Sequence, residues 1–157
     1  MSRKMTRRKF MATTAAGAAA ATFNFPAPAV SQPAPFKLGL LTVKTGPLAQ
    51  GGIQMEQGVQ TWLKEHNNKI AGRNIEFFSA DTGGNPQGTK TKVQELVERD
   101  KVDTILGPLA AFELLAITDY TAQNKMPVLS LAAAEDMTQR RPNPYFIRTS
   151  GTSAQPM

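Results

Sequence analysis

The sequence contains no cysteine and only one histidine in 157 residues. The absence of cysteine excludes disulfide bonds, thiolate metal sites and a cysteine nucleophile, and it is compatible with an oxidising compartment. The single histidine, His66, is predicted near a helix C-terminus, where a partial positive charge is favourable. Ser130, Thr149 and Ser150 have no histidine partner apparent in the sequence, so a hydrolase triad is unsupported. We expect no metal site, no cofactor and no catalytic residue.

The chain also lacks a complete phosphate-binding loop. Residues 81–91 read DTGGNPQGTKT, whereas a nucleotide loop requires G-x-x-x-x-G-K-[ST]. Thr89 separates the last glycine from the lysine, and one inserted residue turns the lysine by about 100° around a helix. Asn85 is a suitable helix N-cap, and Pro86 suits the first helical position because it needs no N–H partner there. The turn is therefore predicted to begin a helix and not to bind phosphate.

No strongly apolar run occurs near the N-terminus. Residues 12–22 contain only Ala, Thr and Gly, and a membrane span needs about 20 strongly apolar residues. A basic head, this stretch and the A-P-A at 27–29 together have the three parts of a signal peptide. We expect residues 1–29 to be removed after Ala29 and the rest of the chain to reach the periplasm.

The basic head carries a specific export signal. It reads TRRKFM at residues 6–11 and resembles the twin-arginine motif, with Arg7 and Arg8 as the two arginines. When the five basic residues of the head leave, the 18 basic residues of the chain fall to 13, against 12 acidic residues. The remaining domain is close to neutral and has no electrostatic footprint for nucleic acid or an anionic membrane.

Predicted strands and helices alternate after residue 35. Residues 36–43 are an almost unbroken apolar run, as expected of a strand covered on both faces. Apolar residues then recur at helical spacing from Met55 to His66. Further strands are predicted at 74–80, 102–106, 127–131 and 145–149, with helical stripes at 93–97 and 112–124. This alternation predicts an α/β fold, an open parallel sheet with helices on both faces, flavodoxin-like or Rossmann-like.

Ligands of open parallel sheets bind at the carboxyl ends of the strands. The loops to consider are 44–52, 107–113 and 132–136. Each leads into a predicted helix, and the three helix N-termini would point their N–H groups and positive dipole ends at one cleft. Such an arrangement suits a carboxylate. The glycines of GPLAQGG in the first loop would allow the backbone to approach a ligand closely.

Three segments carry a family resemblance. They read TGPLAQGGIQMEQGVQTWLKEHN, DTGGNPQGTKTKVQELVERDKVDTILGPL and NKMPVLSLAAAED, and they resemble the substrate-binding proteins of ABC transporters in the Leu/Ile/Val-binding family. The resemblance implies two α/β lobes of the type I periplasmic binding fold, with a ligand between them. It also implies a periplasmic receptor that captures a small amino acid or carboxylate for import and passes it to membrane permease subunits without catalysis.

The resemblance also implies a division of the chain. Residues 30–35 form a Pro-rich lead-in, 36–150 form the first lobe, and 151–157 begin the crossover to a second lobe. A ligand-sensing domain of a signalling receptor with the same fold remains an alternative, and the downstream sequence would distinguish the two. An enzyme would need a nucleophile elbow or a correct phosphate loop, and neither is present.

The resemblance places first-lobe ligand contacts at Ala111, Ala132 and Ala134. Amino-acid binders of this family usually carry serine or threonine at the first and third of these positions. Alanine at both favours a less polar carboxylate, with branched-chain amino acids as the competing ligand. Phe112 either stacks on the ligand or packs in the core. The remaining candidate contacts are Gln50, Gly51 and Ala133.

Overall fold

The computed structural model of the protein describes residues 33–132 and 134–151. The predicted signal peptide with Arg7 and Arg8, its cleavage site after Ala29 and the candidate contact Ala133 lie outside the described residues. Within the described part of the chain, no helix is both long enough and apolar enough to cross a membrane.

Strands and helices alternate along the described chain as the sequence predicts. In chain order they are β1 (Phe36–Thr42), α1 (Ala49–Glu65), β2 (Lys69–Ile70), β3 (Arg73–Asp81), α2 (Pro86–Gln94), β4 (Thr104–Leu106), α3 (Ala111–Gln123), β5 (Val128–Ser130) and β6 (Phe146–Arg148). A π-helical segment, Glu95–Arg99, continues α2, and a short 3₁₀ helix, Glu135–Met137, lies between β5 and β6.

The strands form one sheet in the order β2-β3-β1-β4-β5-β6. The strand pairs are parallel except for β2 with β3, which is antiparallel. The predicted α/β fold class is therefore confirmed. Strand β1 lies between β3 and β4, so the direction in which successive strands are added changes at β1. The carboxyl ends of β1, β4 and β5 are therefore neighbours.

The sequence did not predict β2. This strand pairs with the start of β3 through a two-residue turn, in which Ala71 and Gly72 have φ angles of 47° and 79°. Positive φ at both central residues is the hairpin geometry that usually requires Asn-Gly or Asp-Gly. Alanine at the first position gives no turn signal, so the hairpin could not be recognised from the sequence.

Helices cover both faces of the sheet, since alternate strand residues point to opposite sides. On one side α2 and α3 enclose the main apolar core, which the following buried residues form: Leu41, Val93, Leu96, Val102, Ile105, Leu114, Ile117, Met126, Val128, Ala132, Ala134, Met137 and Phe146. On the other side α1 lies against β1, where Thr42 Oγ1 donates to Gly52 O at 3.3 Å. Both predicted helical layers are present.

Helix α1 is less buried than its apolar spacing indicates. Leu63 is 4% exposed, but Trp62 is 41% exposed. The His66 ring stacks on Trp62 with 4.1 Å between the ring centroids. An apolar groove of about 630 Å³ remains beside the helix over β4 and β5, with Leu106 and Leu129 in its floor. The helix therefore packs on the sheet through single buried positions, Gly52 and Leu63, and not through a continuous stripe.

Candidate ligand-binding site

Three loops meet where the parallel strands end. They comprise residues 43–51 after β1, 107–113 after β4 and 131–138 after β5, and we call them together the carboxyl edge. A methyl group built on Gly51 would lie 3.3 Å from Leu109 Cδ2. Ser130 Oγ donates to Pro108 O at 2.6 Å. The first loop thus touches the second, and the second is tied to the start of the third.

Asp81 holds the first loop in place. Its carboxylate accepts hydrogen bonds from the backbone N–H of Lys44 at 2.8 Å, from the Thr45 hydroxyl at 3.0 Å and from the Gly83 N–H at 2.9 Å. Burial raises the pKa of Asp81, but these donors together outweigh burial and lower the pKa below its ordinary value. Lys44 Nζ also pairs with Glu56 at 2.9 Å, so the loop is anchored to both β3 and α1.

We expect Asp81→Asn to remove part of the acid sensitivity of folding. A carboxyl whose pKa is depressed in the folded state stabilises the fold above its unfolded pKa of about 3.9, and this contribution is lost as pH falls through the folded pKa. Urea midpoints measured from pH 7 to pH 3 should therefore show the wild type losing its advantage over Asp81→Asn below pH about 4. Exposed Asp119 supplies the control, Asp119→Asn. A difference that is constant across this pH range would contradict the prediction.

The N-terminus of α1 leaves backbone donors unused. The helix begins at Ala49, three residues before the predicted start at 52, and its cap Leu48 has no side-chain acceptor. Gly52 N donates to Leu48 O at 3.3 Å. Among the described residues, no acceptor pairs with the N–H groups of Gln50 and Gly51. Both predicted contacts are exposed at the carboxyl edge.

The N-terminus of α3 is open in the same way. Its cap, Ala110, has no side-chain oxygen, and the first intrahelical bond runs from Leu114 N to Ala110 O at 3.1 Å. Among the described residues, no acceptor pairs with the N–H groups of Ala111, Phe112 and Glu113. The Phe112 side chain is 45% exposed, so the interpretation of Phe112 as a core residue is wrong. The helix directs three free donors and an exposed ring at the edge.

The third loop differs from the prediction. Where the sequence predicts the start of a longer helix, the described residues form only one turn of 3₁₀ helix, Glu135–Met137. Ala132 N donates to Ser130 Oγ at 3.0 Å, and Ala134 N donates to Ala132 O at 2.9 Å. The two methyl groups are 3% and 6% exposed. The expectation that Ala132 and Ala134 offer free backbone donors is therefore wrong, because the Ser130 hydroxyl and a tight turn already use them.

A buried carboxylate, which no sequence pattern singles out, joins the second loop to the turn before α2. Glu113 is 0% exposed. It accepts from the Thr82 hydroxyl, from Ala110 N at 3.2 Å and from the Thr89 hydroxyl at 3.3 Å. Thr89 also donates to Asn85 O at 2.7 Å, so its contact with Glu113 is the weaker one. The DTGGNP turn thus begins α2, as predicted, and also positions the start of α3.

Each loop of the carboxyl edge also exposes one large apolar side chain. Leu48 is 41% exposed, Phe112 is 45% exposed and Leu131 is 44% exposed. The sequence singled out only Phe112, because a lone leucine in a loop carries no signal of its own. Within the described residues, no group of three or more His, Cys, Asp and Glu side chains could hold a metal ion. The edge combines free backbone donors with apolar surface.

The chain is similar in sequence and fold to known proteins. Leu/Ile/Val-binding protein homolog 6 of Brucella abortus is 28% identical over 120 residues, which cover 76% of this chain and 30% of that protein. A solute-binding protein of an ABC transporter from Rhodopseudomonas palustris BisB5, solved with 3,4-dihydroxybenzoic acid, is 35% identical with a TM-score of 0.69, over 74% of this chain and 32% of that one. An R. palustris solute-binding protein solved with 4-hydroxybenzoate is 33% identical with a TM-score of 0.67, over 74% and 32% of the two chains.

The chain spans about a third of the length of these relatives. The sequence matches the family described as periplasmic binding protein over residues 35–157. This match covers most of the chain, including all three loops of the carboxyl edge. The chain therefore belongs to the periplasmic binding protein family.

Proposed function

We propose that residues 36–150 are the first lobe of a solute-binding protein of an ABC transporter. The carboxyl edge forms one wall of the ligand cleft, and a second lobe supplies the other wall. Support comes from the fold, from the relatives described as ABC transporter components, and from the concentration of free donors at this edge. The protein binds its solute and passes it to permease subunits, with no chemical step and no role for nucleic acid.

The proposed ligand is a small aromatic carboxylate. The observation that carries this proposal is the start of α3, where three unpaired N–H groups lie next to the exposed ring of Phe112. Helix N-termini bind anions through such groups and through the positive end of the helix dipole. An aromatic ring adds apolar contact area and stacking. The N–H groups thus suit the carboxylate of a benzoate, and the ring of Phe112 suits its aromatic ring.

The competing ligand is a branched-chain amino acid, which the name of the Brucella abortus relative mentions. Its α-ammonium group needs acceptors. Ala111, Ala132 and Ala134 have no side-chain oxygen, and the Ser130 hydroxyl already donates to Pro108 O and accepts from Ala132 N. The relatives at 33–35% identity that were solved with hydroxybenzoates support the aromatic acid.

We also propose that residues 1–29 export the protein to the periplasm by the twin-arginine route. The motif at Arg7 and Arg8 supports this route, and the A-P-A sequence supports cleavage after Ala29. The family is periplasmic by name, which agrees with export.

A thermal-shift screen of the full-length gene product tests the ligand. The compounds are 4-hydroxybenzoate, benzoate, a short fatty acid, leucine, isoleucine and valine. A ligand at about 100 times its dissociation constant stabilises the folded state by about 2.7 kcal/mol, so we expect a clear shift with 4-hydroxybenzoate. A clear shift with leucine and none with any simple carboxylate would refute the proposed ligand class.

A matched pair of variants tests the location of the carboxylate. Ala111→Asp places a negative charge at the start of α3, and Ala111→Asn places a neutral group of nearly the same shape there. We expect Ala111→Asp to weaken 4-hydroxybenzoate binding at least about tenfold more than Ala111→Asn, because like charges repel strongly at close range in a partly dehydrated cleft. Equal dissociation constants for the two variants, measured by calorimetry, would place the carboxylate elsewhere.

A further inference from the structure

Arg148, at the end of β6, contacts the third loop of the carboxyl edge. It is paired in register with Ser130 of β5. Its Nη2 donates to Ala134 O at 3.0 Å and also contacts the Thr138 hydroxyl. Through these two bonds Arg148 holds both sides of the 3₁₀ turn that follows β5. The guanidinium is therefore fixed against the third loop.

The guanidinium is only partly compensated. Its Nε and Nη1 atoms are buried, and neither has a hydrogen-bond partner within the part of the chain that the structure describes. Arginine keeps its charge at all ordinary pH values, and a buried charge without compensation is costly. Arg148 thus contributes positive potential at the third loop.

A positive potential at the third loop acts on a ligand in the cleft. Interactions between charges are stronger where water is excluded, and a fixed charge stabilises an anion without any reorganisation on binding. The N–H groups of Ala132 and Ala134 are already used, so these two residues cannot recognise a carboxylate through their own N–H groups. A buried cation favours an anion without direct contact.

We propose that Arg148 is a positioning residue that makes the cleft selective for anionic over neutral ligands, by fixing the third loop and by placing against it a buried positive charge with two unpaired nitrogen atoms. This inference rests on the proposed function, because it concerns the charge of the same ligand. It adds a role for a residue that reaches the ligand only through the loop it supports.

The test compares two probes that differ in charge and hardly in shape, 4-hydroxybenzoate and 4-hydroxybenzamide, on the full-length gene product. Calorimetry gives the ratio of their dissociation constants for the wild type, Arg148→Met and Arg148→Lys. We expect Arg148→Met to reduce the preference for the benzoate by about tenfold, and Arg148→Lys to keep it within about threefold. Arg141→Met removes an exposed arginine of the same segment and is expected to leave the ratio unchanged.

The outcomes separate this inference from the proposed function. If Arg148→Met weakens both probes equally, Arg148 has only a structural role and the inference is wrong, while the ligand class stands. If Arg148→Met does not fold, the ratios of dissociation constants for the wild type and Arg148→Lys decide the question. A wild-type preference for the benzoate over the benzamide below about threefold overturns the inference. Binding of neither probe by the wild type refutes the aromatic ligand and the inference together.

Discussion

Gly52→Ala is expected to destabilise the domain by about 3 kcal/mol, at the upper end of the usual cost of overpacking. A Cβ atom on Gly52 would lie 1.8 Å from Val43 O, 2.7 Å from Val43 C and 2.8 Å from Thr42 Oγ1. Val43 is 0% exposed at the end of the central strand, so its backbone cannot move aside. The higher helix propensity of alanine offsets only about 1 kcal/mol of this cost.

The same helix provides a matched control. No atom lies within 4 Å of the Cβ position of Gly58, and Gly58→Ala is expected to stabilise the domain by about 0.5–1 kcal/mol through reduced backbone entropy of the unfolded chain. Guanidinium titration of the full-length gene product measures both free energies of unfolding. If the two substitutions changed the free energy of unfolding in the same direction by similar amounts, the close contacts at Gly52 would not explain the effect.

Gly52→Ala also has an expected effect on binding. The residues immediately before it, Gln50 and Gly51, present free N–H groups at the carboxyl edge. A helix pushed away from Val43 displaces these groups from the cleft. We therefore expect weaker 4-hydroxybenzoate binding in Gly52→Ala and unchanged binding in Gly58→Ala, under conditions where both variants remain folded.

The fold was predictable because its signals are local. Apolar runs such as residues 36–43 and helical stripes such as 55–66 depend only on which residues face the core. The start of α2 was predictable for a similar reason, since Asn85 accepts from Gly88 N at 2.8 Å and Pro86 occupies the first turn. Propensity and tertiary packing favour the same structure in these segments.

The candidate site was only partly predictable because its details depend on contacts between distant residues. The use of the Ala132 N–H depends on the rotamer of the Ser130 hydroxyl, and the alanine spacing does not reveal it. The role of Arg148 depends on the pairing of β6 with β5, which brings Arg148 next to Ala134. None of these contacts produces a periodic pattern in the sequence.

Glu113 illustrates the same limit of sequence-based prediction. A glutamate in the first turn of a helix is ordinarily an exposed complement to the dipole. Here the side chain turns inward and is 0% exposed, because Thr82 in the preceding turn and Thr89 in α2 supply hydroxyl groups to the carboxylate. The Thr82 hydroxyl also accepts from Gly84 N at 3.3 Å, so the carboxylate completes a network that includes the glycine turn.

We expect Glu113→Ala to lower the free energy of unfolding by about 3 kcal/mol. Hydrogen bonds to charged groups contribute about 1.5–3 kcal/mol each, and buried donors left without an acceptor cost about 1–3 kcal/mol more. The variant leaves the Thr82 hydroxyl and the Ala110 N–H without their acceptor. Asp119→Ala, an exposed acid on the same helix, is the control and is expected to change stability by less than about 0.5 kcal/mol.

Glu113→Gln separates the acceptor from the charge. Its amide oxygen can still accept from the Thr82 hydroxyl, but its NH₂ group then faces the Ala110 N–H, donor against donor. We expect an intermediate loss, with the order wild type, Gln, Ala in denaturation midpoints. Glu113 links the start of α3 to the DTGGNP turn, so 4-hydroxybenzoate affinity should fall in the same order among the folded variants. Full stability in Glu113→Ala, or unchanged affinity despite lost stability, would show that the network does not hold the free N–H groups of Ala111 and Phe112 in place.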